Sequence, residues 1–308
     1  MGMFFDQPCD VVPVQPGVVE DQFDTGPGFN KTSHSSSCAS ASRVAFVCVL
    51  FFVSFLTGCV TTDFGAKINV LSVQDEIRLG NQMATEIEKK EKPLDNPAIQ
   101  AYVADIGKRL ARVATRQDVP YRFTVIDAPE TINAFALPGG HMYIYTGLMK
   151  LCQNEAELAG VMAHEMGHVA AQHHGRMMTR QLGIAVITQA ALGKNPSLLA
   201  ELLSQYAGAG ISARYSRSDE DEADTLGMEF LFRAGYNPSG MITFMEKMMN
   251  MELKTGKAHP LPIFASHPPT EQRALRLRVL EEQYPPDMRE TSPVYADRYK
   301  ESVLNKLQ

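Results

Sequence analysis

The segment from Val161 to His174, with the sequence VMAHEMGHVAAQHH, constrains the fold and the chemistry of this chain more than any other. It contains an H-E-x-x-H pattern, in which His164 and His168 are four residues apart and Glu165 follows the first histidine. Side chains four residues apart lie on one face of a helix, about 6 Å apart at Cβ, so both imidazoles can reach one zinc ion with bonds of roughly 2.0–2.1 Å. The glutamate can then take a proton from the attacking water. The alternative for the motif alone is an ordinary helix with two histidines in its core.

The residues around the motif have the spacing of a buried helix. Asn154 is a preferred N-cap residue, and Glu157, three positions later, completes a start that resembles a capping box. Apolar residues then recur at helical intervals, namely Leu158, Val161, Met162, Met166 and Val169. The pattern therefore predicts that the motif lies on a buried helix beginning after Asn154.

A catalytic zinc site needs three protein ligands and an open position for water. The segment 215–224, YSRSDEDEAD, supplies candidates for the third ligand because it has five acids in six positions. Glu220 and Asp224 are four residues apart and share a helix face, whereas Glu222 points elsewhere. An aspartate one turn after a ligand suits zinc, since ligating histidines need a neighbouring carboxylate to fix their tautomer. The alternative is an acidic helix face in contact with solvent.

The remaining pattern predicts a mainly helical α+β fold with a small β-sheet before the H-E-x-x-H helix. Alternation of apolar and polar residues predicts strands at 121–125, 132–137 and 142–145. Helical spacing predicts helices at 73–92, 97–115, 177–192, 196–213, 219–234, 237–254 and 270–282, with a proline-rich loop at 258–269. The apolar pair 177–192 and 196–213 can pack as core or cover the cleft as a lid. No linker interrupts this region, so we expect one catalytic domain over 73–285 and a peripheral tail at 286–308.

The N-terminal residues predict a signal segment. Residues 1–42 are rich in Pro, Gly, Ser and Asp and lack periodicity, which indicates disorder. Arg43 then precedes a thirteen-residue apolar run, 44–56, which is too short for a membrane span of about 20 residues but suits the hydrophobic region of a signal peptide. The run ends in Leu-Thr-Gly-Cys59, which resembles the lipobox of bacterial lipoproteins, whose cysteine is lipidated after cleavage.

This resemblance implies a disordered extension and signal segment over 1–58 and a lipidated tether over 59–72, starting at Cys59. Val60 stands where a signal for inner-membrane retention has Asp, so the resemblance implies an outer-membrane lipoprotein that faces the periplasm. The alternative is a genuine extension followed by an uncleaved anchor.

Three further segments give the catalytic region a family resemblance. The H-E-x-x-H residues and the later S-R-x-x-E-x-E-A-D residues, 216–224, resemble the gluzincin metallopeptidases of the CAAX-prenyl-protease superfamily, peptidase family M48, and in particular its periplasmic branch. Residues 133–140, NAFALPGG, resemble the N-A-F-x-x-P-G-G segment of that family. Residues 266–273, SHPPTEQR, resemble its H-P-x-T-x-x-R element. Four motifs in this order imply a zincin-like metalloprotease domain.

The resemblance also implies roles for individual residues. Glu220 is expected to join His164 and His168 as ligands of one Zn²⁺ per chain, with Glu165 as the catalytic base and Asp224 in support. His267 and Arg273 are expected at the cleft, His267 as a catalytic donor to the oxyanion and Arg273 as a supporting residue. The edge strand is expected to bind substrate through Asn133, Ala134 and Phe135.

The predicted function is a zinc endopeptidase that cleaves unfolded or misassembled proteins of the bacterial envelope. An extended substrate would add as a strand beside residues 133–137, through backbone hydrogen bonds that tolerate many sequences. The alternative is an assembly factor or holdase for outer-membrane proteins, in which binding matters more than cleavage. Expected partners are unfolded proteins, the membrane through the lipid anchor, and outer-membrane assembly machinery.

Composition excludes other classes of function. The net charge of −6 and pI of about 5.8 leave no basic footprint for nucleic acid. The five cysteines show no paired spacing, which argues against a disulfide framework and a cysteine zinc site.

Several other residues receive no predicted role in the site. His173 and His174 are expected at the solvent end of the metal-binding helix and His141 in a turn, while Cys152 is expected as a small buried apolar residue. The methionine-rich segment 241–251 fits a core helix or a substrate groove.

Overall fold

The computed structural model describes residues 68–183, 215–255 and 261–307, together with residue 189. The predicted signal segment and lipidated cysteine lie outside these residues. The predicted helix 196–213 and most of 184–192 also lie outside them, so the prediction of a lid is not tested. Within the described ranges, no helix is both long enough and apolar enough to cross a membrane.

Two capped helices precede the sheet, as the sequence predicts. Helix α1 spans Val73–Glu88, and Ser72 and Asp75 form a reciprocal capping box at its start. Helix α2 spans Pro97–Ala111, and the Asn96 side chain accepts a backbone amide of its first turn. Both helices end four residues earlier than predicted. Their apolar faces are buried through Leu79, Met83, Ile87, Ile99, Val103, Ile106 and Leu110.

Three short strands form a mixed sheet in the order β1–β3–β2. Strand β1, Arg122–Ile126, runs parallel to β3, His141–Tyr145, while β2, Ala134–Ala136, runs antiparallel to β3. A turn at Pro138–Gly140 joins β2 to β3, and Gly139 adopts the positive φ of 74° that favours glycine. The predicted α+β fold with a small sheet before the metal-binding helix is confirmed, and β2 is an edge strand.

The helix that carries the H-E-x-x-H residues is almost entirely buried. After helix α3, Thr146–Leu151, it begins as predicted, with the Asn154 side chain accepting the amide of the first turn, and it runs over Glu155–Ala170 as α4. The chain then reverses at Gln172, whose φ of 58° is left-handed, and continues in α5, His173–Leu182. This reversal folds α5 back beside the metal-binding helix.

Helix α6, Arg217–Arg233, packs closely along α4. A capping box of Ser216 and Asp219 fixes its first turn. A Cβ atom added to Gly167 of α4 would lie 2.7 Å from the carbonyl oxygen of Ala223 on α6, so the two backbones are in contact at this point. The contact brings the first turn of α6 to the histidines of α4.

Helix α7, Ser239–Thr255, packs on the other side of α4, where a Cβ on Gly160 would lie 3.0 Å from Cα of Met241. The predicted loop at 258–269 contains a short helix, α8, over Pro262–Ser266, because proline suits the first turn of a helix. Helix α9, Glu271–Glu282, lies where the sequence predicts a helix, and the side chain of Thr270 caps its start.

The C-terminal segment is not peripheral, contrary to the prediction from sequence. It forms helices α10, Pro286–Thr291, and α11, Ala296–Ser302, and ends in a 3₁₀ turn at 304–306. Tyr299 is completely buried, and its hydroxyl donates to the carbonyl oxygen of Met149 at 2.7 Å. The segment looks peripheral in sequence because its contacts are with residues about 150 positions earlier.

Glu155, in the first turn of α4, joins three distant parts of the chain. Its buried carboxylate accepts hydrogen bonds from the hydroxyl of Tyr236 at 2.7 Å, from Nε of Arg298 at 2.7 Å and from the hydroxyl of Tyr102. These bonds fix the start of the metal-binding helix, where a negative charge also complements the helix dipole.

Candidate metal centre

Four buried side chains converge at one point between helices α4 and α6 and the segment after α8. They are His164, His168, Glu220 and His267, and one donor atom from each lies within 4.8 Å of all the others. Nε2 of His164 is 3.1 Å from Nε2 of His168 and 3.2 Å from Nδ1 of His267. The Glu220 oxygens lie 3.4 Å from His168 Nε2 and 2.9 Å from His267 Nδ1.

These distances fit a tetrahedral zinc ion. With bonds of 2.0–2.1 Å, donors at the corners of a tetrahedron are about 3.3 Å apart. Oε2 of Glu220 is buried without a hydrogen bond from the described residues, although Arg273 Nη1 approaches it to 2.7 Å, and a metal ion would supply a partner. The two histidines of the motif and Glu220 therefore lie where the sequence predicts the ligands.

Asp224 and Arg273 support this cluster from behind. Oδ1 of Asp224 lies 2.9 Å from Nδ1 of His164, close enough to orient the ring although the angle falls short of a hydrogen bond. The Arg273 guanidinium binds Asp224 at both oxygens, through Nε at 2.8 Å and Nη2 at 2.7 Å. Both lie where the sequence predicts supporting residues.

The charges around the cluster set the protonation of the ligands. Burial lowers the pKa of His168 well below its usual value, which keeps this ring neutral. Burial also opposes a charge on His164, but Asp224 and Glu220 raise its pKa to about 9, so zinc displaces a proton from this ring when it binds. Burial raises the pKa of the Glu220 carboxyl, yet His267 and Arg273 hold it well below its usual value.

Glu165 connects the ligand cluster to the edge strand. Its Oε2 accepts the backbone N–H of Ala136 at 3.1 Å, and its Oε1 lies 3.4 Å from Nε2 of His267. Burial raises the pKa of this carboxyl, which moves it towards the range in which a base works at neutral pH. The predicted substrate residues Asn133, Ala134 and Phe135 lie in and beside β2 and are buried, at 5%, 1% and 3% exposure.

His267 occupies the position of a fourth ligand. The sequence predicts a donor to the oxyanion, but the Nδ1 atom is one of the four clustered donors, and such a set leaves no open corner for water. The predicted role therefore requires the ring to move away from the metal.

A mainly apolar cavity adjoins the cluster. His164, Glu165 and His267 lie in its wall. The rest of its lining is mainly apolar and includes Val161, Met241, Phe244, Met245, Met248 and Ile263. Met241 and Met248 of the methionine-rich helix are buried in the core and also face this cavity. Their positions are compatible with both predicted roles of this helix, as core and as a substrate groove.

Comparison with known proteins decides the family. Residues 97–281 match the model of peptidase family M48. The chain belongs to this family. It is 32% identical over 229 residues to the putative beta-barrel assembly-enhancing protease of Vibrio cholerae, an alignment that covers 71% of this chain and 46% of that protein. It is 28% identical over 247 residues to the metalloprotease YcaL of Escherichia coli, covering 73% of this chain and 92% of that protein.

A third relative is the mitochondrial metalloendopeptidase OMA1 of Schizosaccharomyces pombe, 33% identical over 202 residues that cover 64% of this chain and 57% of that protein. The chain spans about half the length of the beta-barrel assembly-enhancing proteases it matches. Membership of the M48 family confirms the predicted metallopeptidase domain, and the four-donor cluster provides a site that could hold one zinc ion.

The positions predicted from sequence for two histidines near this site are wrong. His173 and His174 are buried rather than at a solvent end, because the left-handed turn at Gln172 folds them back under α4. His173 contacts His168, and Nε2 of His174 donates to the carbonyl oxygen of Ala136 at 2.9 Å. The sequence signal that could have indicated their burial is that both histidines directly follow a buried metal-binding helix.

Of the other residues without a predicted role, Cys152 lies as expected, whereas His141 belongs to a strand and not to the turn before it. His141 begins β3, where its ring contacts Asn81 and Arg122. Cys152 is a free, buried thiol.

Proposed function

We propose that this M48 metallopeptidase cleaves unfolded or misassembled proteins of the bacterial envelope. The observation that carries the proposal is the hydrogen bond from the Ala136 amide to Glu165. It places the general base, the metal ligands and the backbone of an edge strand side by side, which is the arrangement needed to cleave an extended chain.

The pairing of β2 supports a proposal for the residue that a substrate strand would use. Leu137 and Asn133 direct backbone groups towards β3, since the Leu137 amide binds His141 and the Asn133 carbonyl accepts from Tyr145. Phe135 faces Tyr143 in the same way, so only Ala134 and Ala136 direct their backbone groups to the other side. There, both groups of Ala136 are already bound, by Glu165 and by His174.

Ala134 is the remaining residue of β2 whose backbone is directed outwards, and we propose it as the position at which a substrate backbone pairs; because Ala134 is 1% exposed, this pairing requires the strand edge to be uncovered first. Ala134 lies two residues from the amide that Glu165 holds. Binding through a backbone supports a loose sequence preference and favours chains that are not already folded.

The chemistry requires the metal and one carboxylate. Zinc, when bound, polarises the scissile carbonyl and lowers the pKa of water. The Glu165 carboxylate takes the proton of the attacking water and returns it to the leaving amine. Its bond to the Ala136 amide keeps the carboxylate oriented while the proton is transferred.

The cavity beside the cluster suits an apolar side chain next to the cleaved bond. Its wall is mainly apolar, and the methionines in it can adapt to side chains of different shapes. Apolar residues are exposed in unfolded and misassembled proteins, which agrees with the proposed class of substrate.

The proposed location is the outer membrane, with the protein facing the periplasm and attached through lipid on Cys59. The lipobox resemblance and the names of the Vibrio cholerae and Escherichia coli relatives support it. A Cys59→Ser variant is expected to leave the membrane fraction and to lose labelling by fatty acid. A variant that still sediments with membranes as an unprocessed chain would identify the apolar run as an uncleaved anchor.

Cleavage of unfolded casein by the full chain, with and without a chelator, tests the proposed activity. The Glu165→Gln variant is expected to bind zinc normally and to lose at least roughly 10²-fold in rate, because the ligands remain and the base is gone. Full activity in this variant would refute the mechanism.

A second candidate function is assembly of outer-membrane proteins by binding rather than cleavage. It is favoured by the relatives whose names describe beta-barrel assembly, and its partner would be outer-membrane assembly machinery. If the Glu165→Gln variant supports barrel assembly as well as the wild type does, binding is the principal function.

A further inference from the structure

His173 lies between a metal ligand and a carboxylate. Its ring is completely buried at the start of α5. Its Nδ1 atom is 2.9 Å from Nδ1 of His168, and its Nε2 atom is 3.1 Å from Oε2 of Glu222. One imidazole thus bridges the second ligand of the H-E-x-x-H motif and an acid on helix α6.

The atoms involved define the direction of each hydrogen bond. His168 turns Nε2 towards the cluster, 3.1 Å from Nε2 of His164. A neutral histidine that binds metal through Nε2 carries its proton on Nδ1. Two Nδ1 atoms at 2.9 Å share one proton, so His168 donates and His173 accepts. The proton of neutral His173 is then on Nε2, and it is donated to the Glu222 carboxylate.

We propose that His173 and Glu222 are a positioning pair that fixes the tautomer and the ring plane of His168, so that Nε2 faces the zinc ion. The pair gives His168 the support that Asp224 gives directly to His164. The proposal rests on the zinc site and is independent of the substrate class proposed above.

Neighbouring charges favour Glu222 as the final acceptor in this series of hydrogen bonds. Arg176 Nη1 binds the same Glu222 oxygen at 2.9 Å and keeps the carboxylate in place. Asp219 is the other acid near the His173 ring, at 3.7 Å, but its oxygens also cap helix α6 and accept from Arg180 at 2.9 Å.

The arrangement also explains the position of Glu222 in the sequence. It is two residues after the ligand Glu220, so it points away from that ligand and reaches His173 on α5 instead. One turn of α6 therefore supplies a zinc ligand directly and supports a second ligand through His173.

Zinc affinity tests the proposal, measured on the full chain by competition with a chromogenic chelator. His173→Leu is expected to weaken zinc binding about 10–100-fold, the usual effect of losing a group that orients a ligand. His173→Asn, whose Oδ1 can replace Nδ1 as the acceptor, is expected to recover most of that loss. Equal affinities for the wild type and the His173→Leu variant would overturn the proposal.

A double-mutant cycle tests the link to Glu222. Glu222→Ala is expected to weaken zinc binding, but to have little further effect when His173 is already Leu, because the two residues act through one contact. Glu229→Ala is the matched control on the same helix, since Glu229 pairs with the exposed Arg233. Additive effects at 173 and 222 would contradict the pairing.

The tautomers can be read directly, which keeps the proposal testable if the variants do not fold. Nitrogen-15 spectra of the histidine rings in the zinc-loaded wild type are expected to show a proton on Nδ1 of His168 and on Nε2 of His173. A proton on Nδ1 of His173 would overturn the assignment, because that atom could not then accept from His168.

Discussion

Replacement of Arg273 by methionine is the perturbation for which the structure gives the clearest magnitude. The guanidinium is 7% exposed, binds both oxygens of Asp224, and lies 2.7 Å from Glu220. Methionine keeps much of the length and apolar volume but removes the charge and every donor. Two buried carboxylates then lose their cationic partner.

The expected loss in the free energy of unfolding is about 3–5 kcal/mol, the range for removing one partner of a buried ion pair. For a protein of this size, this corresponds to a fall in melting temperature of roughly 6–20 °C. Burial raises the pKa of Asp224, but Arg273 and His164 lower it to about 2. That stabilisation is present above the unfolded pKa of about 3.9 and is lost as the pH falls towards 2, so the difference between variant and wild type shrinks in acid.

Chemical denaturation in the presence of a chelator measures this effect without a contribution from zinc. Arg276→Met is the matched control, because Arg276 is on the same helix and pairs with Asp221 at the surface, where an ion pair contributes about 0–1 kcal/mol. If the Arg273 variant loses no more stability than the Arg276 variant, the guanidinium does not compensate the buried carboxylates and the argument fails.

Four substitutions test other parts of the site. Glu220→Ala is expected to lose stoichiometric zinc in elemental analysis, whereas Glu222→Ala keeps it at reduced affinity; the reverse result would mean that the other carboxylate is the ligand. His267→Ala is expected to retain zinc through three ligands and to cleave casein at least as fast as the wild type, because a position for water is opened. A fall mainly in kcat would instead support the donor role predicted from sequence. Gly167→Ala places a Cβ 2.7 Å from a carbonyl oxygen of α6. It is expected to lower the free energy of unfolding by about 1–3 kcal/mol and to weaken zinc binding. If neither value changes, the two helices can move apart without cost.

The sequence predicts where His164, His168, Glu220 and Asp224 lie in the candidate metal centre, because their signals are local. Asn154 caps the helix, and the four-residue spacing of His164 and His168 places both rings on one face. Glu220 and Asp224 follow the same geometry on a second helix. In each case, one turn of helix contains the whole pattern.

The sequence does not reveal features that depend on contacts between distant segments. His173 looks like a residue in contact with solvent because its partner, Glu222, is 49 residues away. The lack of a helical pattern predicts that His267 lies in a loop, whereas it directly follows helix α8, and the place of its ring among the donors depends on how distant segments pack together. Local periodicity contains no information on which segment covers another.

The network at Glu155 has a consequence for how the enzyme is made. Arg298 follows Glu155 by 143 residues, and Tyr299 follows its partner Met149 by 150. During translation, the metal-binding helix leaves the ribosome long before the residues that hold its first turn. A nascent chain therefore carries all four donors of the candidate metal centre before the helix of His164 and His168 is anchored, and this order of synthesis delays the anchored site until the segment around Arg298 has docked.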